Sequence, residues 1–161
     1  MKDVINYIGK NVKIGRNVKI WHFTYIGDNT VIGDNTKIGS LVHIDYNVKI
    51  GKNCMIEGMV YIPPLTVIED DVFIGPGVII TNDPYPPSKR LIGVIIKRNV
   101  VVGAGAILKA GITIGENSVI GMGAVVTRDV PPNSVVYGNP ARIRYDRVDY
   151  ERKKKIWERE D

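Results

Sequence analysis

Counting in sixes from Ile8 lands on isoleucine at every step: Ile14, Ile20, Ile26, Ile32, Ile38, Ile44, Ile50, Ile56, Ile62, Ile68, Ile74 and Ile80. After a break the count resumes at Ile96, Val102, Leu108, Ile114, Ile120 and Val126. A period of six fits neither the 3.6-residue helix nor the two-residue alternation of a simple strand. It suits a short strand followed by a tight corner, repeated, so the repeat sets the architecture before local propensity is weighed. Within each hexad the residue after the anchor is often glycine, as in Gly9, Gly15, Gly27 and Gly33. The fourth is often asparagine (Asn11, Asn17, Asn29, Asn35), and the fifth is small or β-branched (Val12, Val18, Thr24, Thr30, Cys54). Asparagine tolerates the left-handed backbone of such corners, and glycine removes its steric cost. Anchor and fifth residue then both point inward, and Cys54 reads as filler of a small inward slot.

At 161 residues the chain is expected to be one domain. No apolar run approaches the roughly 20 residues of a membrane span, and the start, Met1 to Asn6, has no apolar leader core. These features predict a cytoplasmic protein with no membrane partner. A single cysteine excludes an internal disulfide framework and a cysteine-rich zinc site. The net charge of +5 is concentrated in the tail, where Arg152-Lys153-Lys154-Lys155 lies among Glu151, Glu158, Glu160 and Asp161. No basic stripe with interleaved aromatics appears, so a nucleic-acid partner is not expected. The excess charge helps attract small anions such as nucleotides.

With three hexads per turn, residues 18 apart stack along one edge. The corner tripeptides then sort into three columns. The first runs Gly9-Lys10-Asn11, Gly27-Asp28-Asn29, Asp45-Tyr46-Asn47. The second runs Gly15-Arg16-Asn17, Gly33-Asp34-Asn35, Gly51-Lys52-Asn53. The third runs Trp21-His22-Phe23, Gly39-Ser40-Leu41, Glu57-Gly58-Met59, Gly75-Pro76-Gly77 and never ends in asparagine. From Ile80 to Ile96 the count is one hexad plus ten residues, about Asn82 to Leu91. The prolines of this stretch oppose ladder pairing, so it should leave the body as a loop. Removing ten residues realigns the columns. The third then continues with Gly103-Ala104-Gly105 and Gly121-Met122-Gly123, still without asparagine. That edge therefore carries His22, Ser40 and Glu57 below and bare corners above, where backbone groups lie open to a ligand.

The hexad pattern over residues 8 to 142 resembles the hexapeptide-repeat proteins. The resemblance implies an all-β fold, a left-handed parallel β-helix in the form of a triangular prism. Nineteen anchors give about six coils, with a protruding loop near 82–91. Residues 1–143 would form the prism, and residues 144–161 a charged, helical tail. The N-terminal segment and the tail are expected to cover the two ends, docking through Ile143, Tyr145, Val148, Ile156 and Trp157. Val102 to Ala106, Ile120 to Pro131 and Tyr137-Gly138-Asn139-Pro140-Ala141-Arg142 are similar to the family's acetyltransferases. This implies acetyl-CoA as co-substrate and a homotrimer with active sites between subunits. The corners Gly103, Ala104, Gly105, Gly121, Met122 and Gly123 would hold the pantetheine arm, and Arg128, Arg142 or Lys109 a CoA phosphate.

Trp21-His22-Phe23, Phe73-Ile74-Gly75-Pro76 and Thr81-Asn82-Asp83 before the proline-rich loop resemble the nucleotide-sugar N-acetyltransferases. These acetylate the amino group of a UDP- or dTDP-linked amino sugar for surface polysaccharide assembly. At Glu57-Gly58-Met59 the chain departs from their Gln-Asn-Asn-like corner. Hydroxyl acceptors need a histidine base, whereas a neutral amine attacks with less help. The loop contains no histidine; the chain has only His22 and His43. Asn82 is therefore expected to hold the amine or polarise the thioester carbonyl, and Asp83 to take a proton or bind the sugar. Both also suit simple turn initiation. His22, Ser40 and Glu57 would meet the acceptor's nucleotide, with His22 equally suited to end packing. His43 points outward from a flat face and is the base required by the alternative, sugar O-acetylation. A non-catalytic solenoid is the remaining alternative. The fold also serves zinc enzymes of the γ-carbonic anhydrase type, which need three histidines per site; two per chain do not supply them, so no metal is expected.

Overall fold

The computed structural model describes residues 5–159. Nineteen two-residue strands, from Tyr7–Ile8 to Val125–Val126, form three parallel sheets, the faces of a left-handed three-sided β-helix. The first face has seven strands: Tyr7–Ile8, Tyr25–Ile26, His43–Ile44, Tyr61–Ile62, Ile79–Ile80, Ile107–Leu108 and Val125–Val126. The second has six, from Lys13–Ile14 to Thr113–Ile114. The third begins at Lys19–Ile20 and ends with Ser134–Tyr137 and the antiparallel Arg142–Asp146. Each edge follows the face of the same number.

Every second strand residue is an anchor. From Ile26 to Ile120 the anchors are buried, and Val42, Val48, Cys54, Val60, Val72 and Val78 fill the corners between them. Corner threonines and serine are buried with their hydroxyls satisfied by the next coil's backbone. Thr30 donates to the carbonyl of Asp45 at 2.9 Å, Thr36 to Gly51 at 2.9 Å and Ser118 to Pro131 at 2.7 Å. Cys54 takes the same place and donates to Glu69 O at 3.1 Å, as filler of an inward slot would.

The corners divide two tasks that the hexad pattern had merged. The asparagines carry the left-handed conformation, with φ near 55–61° at Asn11, Asn17, Asn29, Asn35, Asn47 and Asn53. The preceding glycines answer a different constraint: a Cβ on Gly33 would lie 2.6 Å from the backbone of Gly51 in the coil above. Along the second edge the asparagine amides hydrogen-bond upward in a ladder. Asn17 donates to Asn35, Asn35 to Asn53 and Asn53 to Asp71, at 3.2, 3.2 and 3.0 Å. It resumes from Asn99 to Asn117 and Asn117 to Asn133, at 2.8 and 3.0 Å. No Asp71–Asn99 bond forms among the described residues, because a carboxylate has no hydrogen to donate.

The pairings Val67↔Ile95 and Ile79↔Ile107 confirm the insertion of ten. It leaves at the first edge and is pinched at its base, where Ile92 N–H donates to Asn82 O at 2.8 Å. Gly93 rejoins the body where a Cβ would collide with the backbone of Leu65.

Two expectations need correction. Six coils become seven layers on each face, because Val130 pairs with Ile114 and Val135–Val136 with Val119–Ile120. This last coil is two residues short, which hid it from a count in sixes. The tail does not dock through its apolar side chains. Residues Arg142–Asp146 close the edge of the third sheet as a strand, and the helix α1, Arg147–Trp157, lies against the second edge without burying any residue. Val148 and Trp157 are 75% and 74% exposed, and Ile143 and Ile156 are also exposed. Arg147 anchors the helix instead, donating to the carbonyls of Asn99 and Asn117 at 3.2 and 3.1 Å. The expected N-terminal cover falls partly on residues 1–4, outside the described residues. No helix among the described residues is long and apolar enough to cross a membrane.

Candidate active site

The third edge differs from the other two in its hydrogen bonding. On all edges the third corner residue donates its N–H to the coil below, as Gly105 does to Pro76 O (2.9 Å) and Gly123 to Ala104 O (2.8 Å). On the first and second edges the middle N–H is met by a carboxylate from the coil above. Lys10 N–H donates to Asp28, Arg16 N–H to Asp34 and Lys52 N–H to Asp70, at 2.7–2.8 Å. On the third edge no carboxylate plays this part, and the N–H groups of Ala104 and Met122 have no partner among the described residues. The backbone groups left open at these corners are thus the middle donors, a narrower set than the sequence suggested. Gly77, Gly105 and Gly123 have φ of 64–68°, and a Cβ on any of them would meet nothing within 4 Å. The upper third edge is therefore a smooth track with an outward donor about every 4.8 Å.

In the lower half the same left-handed positions hold Phe23, Leu41 and Met59, with φ of 59–62° and exposures of 64%, 56% and 62%. Beside them lies a groove of about 330 Å³ lined by Trp21, Lys37, Ser40, Met55 and Glu57. The structure thus joins Ser40 to Glu57 and adds Trp21 and Lys37. His22 stays outside the groove, exposed beside Phe23.

The remaining sequence candidates lie elsewhere. Asn82 and Asp83 sit half-buried at the loop base on the first edge, separated from the third-edge track by the first face, roughly 15 Å wide. The Asn82 side chain has no hydrogen-bond partner among the described residues. Asp83 is fully engaged: Oδ1 accepts from Tyr85 N–H and Ser88 Oγ, at 2.9 and 2.8 Å, and Oδ2 from Ser88 N–H at 2.8 Å. Burial pushes its carboxyl pKa up, but these hydrogen bonds outweigh it and hold the pKa below the usual range. Asp83 is built to hold the loop and is poorly suited to take a proton.

His43 stacks on Tyr25 at 4.5 Å in an aromatic ladder with Tyr7 and Tyr61 on the first face. It lies two coils below the loop. Arg128 and Arg142 come together in a cavity of about 400 Å³ beside Asp129 and Ala141, at the upper first edge. At the top of the third edge stand two residues that the hexad count missed. The Tyr137 side chain packs over Gly121, and the Arg144 guanidinium lies 4.9 Å from the Tyr137 ring centre. Both follow the shortened coil, where the count in sixes had lost register. Among the described residues no group of three His, Cys, Asp or Glu side chains is arranged to hold a metal.

Comparison with known proteins fits this geometry. A 2,3,4,5-tetrahydropyridine-2,6-dicarboxylate N-acetyltransferase from Alkaliphilus metalliredigens is 54% identical over 69 residues, 43% of this chain and 28% of that protein. A relative of the same name from Halalkalibacterium halodurans is 51% identical over the same length, so the match spans little more than a quarter of these curated relatives. A galactoside acetyltransferase solved in complex with coenzyme A superposes with a TM-score of 0.57 at 27% identity, covering 87% of this chain and 67% of that one. A GDP-perosamine N-acetyl transferase from Caulobacter crescentus, solved with CoA and GDP-perosamine, shares the fold at 23% identity and a TM-score of 0.56, covering 89% and 58%. The bacterial transferase hexapeptide model (six repeats) matches residues 7–33, 29–64 and 93–128, and the hexapeptide repeat of succinyl-transferase matches 65–110. By these matches the chain belongs to the bacterial transferase hexapeptide family.

Proposed function

We propose that this chain is an acetyl-CoA-dependent acetyltransferase, and that its acceptor is the amino group of a UDP- or dTDP-linked amino sugar used in surface polysaccharide synthesis. The observation that carries the donor half is the third-edge track, whose unpaired Ala104 and Met122 N–H groups suit the amide carbonyls of a pantetheine arm. Tyr137 and Arg144 at its upper end offer a ring and a cation to the nucleotide end of CoA, in place of Arg128 and Arg142. The acceptor would occupy the groove of Trp21, Lys37, Ser40 and Glu57, with Lys37 near a phosphate and Glu57 taking sugar hydroxyls or the amine.

The reacting centre needs a second copy of the chain, because the first-edge loop and the third-edge track lie on opposite sides of one face. The first face supports this. Its outward strand residues are Tyr7, Tyr25, His43, Tyr61, Ile79, Ile107 and Val125, without lysine, whereas both other faces carry lysines. A cyclic trimer would place the Asn82 loop of one copy beside the track of the next. The neutral amine attacks the thioester carbonyl with the Asn82 amide as donor to the developing oxyanion. The C–S bond breaks, and the ammonium proton passes to the departing thiolate.

The match to dicarboxylate N-acetyltransferases favours a second reading, a small amine acceptor without a nucleotide. O-acetylation is less well supported, since His43 is stacked in the aromatic ladder and remote from the loop. The deciding measurement is thiol release from acetyl-CoA with nucleotide-linked amino sugars, amino dicarboxylates, galactosides and maltose as acceptors. Turnover with nucleotide-linked amino sugars alone, lost in Asn82→Ala, supports the proposal. Turnover confined to dicarboxylates or hydroxyl acceptors overturns it.

A further inference from the structure

We propose that the groove between α1 and the second edge binds a nucleotide-sized anion bearing two or more phosphate groups, at a site separate from the acetyl-transfer track. This groove, about 880 Å³, is walled on one side by Asn99, Asn117 and Asn133 and on the other by Arg152, Lys155 and Arg159.

What marks it is the census of donors and acceptors. The three asparagine backbone carbonyls on its floor are all engaged by Arg147: Nη1 donates to Asn99 O and Asn117 O, and the backbone N–H to Asn133 O at 2.8 Å. The side-chain oxygens of Asn117 and Asn133 accept from the ladder below. A primary amide has two N–H donors, and the ladder uses only one on each of Asn99 and Asn117. Donors remain on this wall while most of its acceptors are taken. The acidic groups nearby are engaged too, Glu151 with Arg147 and Asp146 as the α1 N-cap accepting from Asp149 N–H. Arg152 is paired with Asp149 at 2.8 Å, but Lys155 and Arg159 have no carboxylate partner among the described residues.

Both walls therefore present donors and positive charge, which suits an acceptor-only anion. The cations at positions 152, 155 and 159 span about 10 Å along the helix. The amides opposite rise about 4.8 Å per coil. Two rows of that length match an extended chain of phosphates better than a single carboxylate. The second edge is not the edge that holds the track, so the site does not depend on the proposed acetyl transfer.

The test is calorimetric titration with inorganic tripolyphosphate, which lacks any base, sugar or thioester. The intact chain should bind it with an affinity that falls as salt rises. Lys155→Glu with Arg159→Glu, both exposed, should weaken binding by about tenfold or more. Arg144→Glu, at the top of the third edge, should leave it unchanged, and K155E/R159E should leave thiol release from acetyl-CoA unchanged. No binding by the intact chain, or binding indifferent to K155E/R159E, overturns the proposal. Loss of binding in R144E alone would move the anion to the third edge and overturn it equally.

Discussion

The residue scale is where this protein departs from its own repeat. Asp71 occupies an asparagine position in the second-edge ladder, accepts from Asn53 and passes nothing on to Asn99. Asp71→Asn restores the missing donor and should stabilise the chain by about 1 kcal/mol, a rise of a few degrees in melting temperature. A melt unchanged or lowered at neutral pH would refute that reading. Glycines of the two kinds should respond oppositely. A Cβ at Gly33 meets backbone 2.6 Å away that cannot move without parting two coils, so Gly33→Ala should cost roughly 2–3 kcal/mol in denaturant titration. Gly105 has open space around it and a left-handed φ that asparagine accepts. Gly105→Asn should therefore leave the melt within about 0.5 kcal/mol yet block the track and abolish acetyl-CoA binding. Binding retained by G105N would remove the basis for the donor site. Gly33 and Gly105 read alike in the sequence, because a hexad count shows where glycine stands without showing whether φ or close approach demands it.

At the scale of elements, strands, corners and the ten-residue excursion were legible because a strict period turns spacing into three-dimensional position. What the period could not reach is whatever follows a change in spacing. The last coil closes in sixteen residues, from Ile114 to Val130, and everything placed beyond it by counting was misplaced, including Tyr137, Arg144 and the docking face of α1. The tail's apolar residues also misled, since α1 is held by one arginine side chain meeting two carbonyls, an arrangement with no sequence pattern of its own. The acceptor groove was half legible. Ser40 and Glu57 fall in the same column 18 apart, whereas Trp21 and Lys37 reach the groove through local side-chain direction. The loop offers a test of the period itself. Removing the ten residues Asn82–Leu91 restores unbroken hexads, so the deletion should keep the circular-dichroism spectrum and a cooperative melt while losing acetyl transfer. Collapse of the fold would show that the loop supports the body.

At the scale of the whole molecule the carboxylates set an acid limit. The Arg16 amide and side chain hold the Asp34 carboxyl low, Lys97 and the Arg98 amide do the same for Glu69, and the loop hydrogen bonds do so for Asp83. Because these folded-state pKa values lie below the unfolded ones, their stabilisation is present above about pH 4 and is lost as pH falls through the folded values. Cys54 sets the opposite limit. Burial pushes its thiol from 9.0 to about 11, so its contribution is complete below pH 9 and fades as pH rises toward 11. Melts across pH should show both flanks, and Cys54 should resist thiol reagents until the chain unfolds.

The ten-residue loop has a further consequence for how such a chain finds its fold. Sliding one segment past another by a full coil leaves every isoleucine facing inward, so the core alone scarcely distinguishes correct from displaced pairing. Only irregular lengths break that degeneracy. The excursion at 82–91 and the shortened final coil act as alignment marks, since a displaced chain would have to place ten surplus residues inside a coil or stretch two missing ones across an edge. The least regular parts of this molecule are what make its register unique.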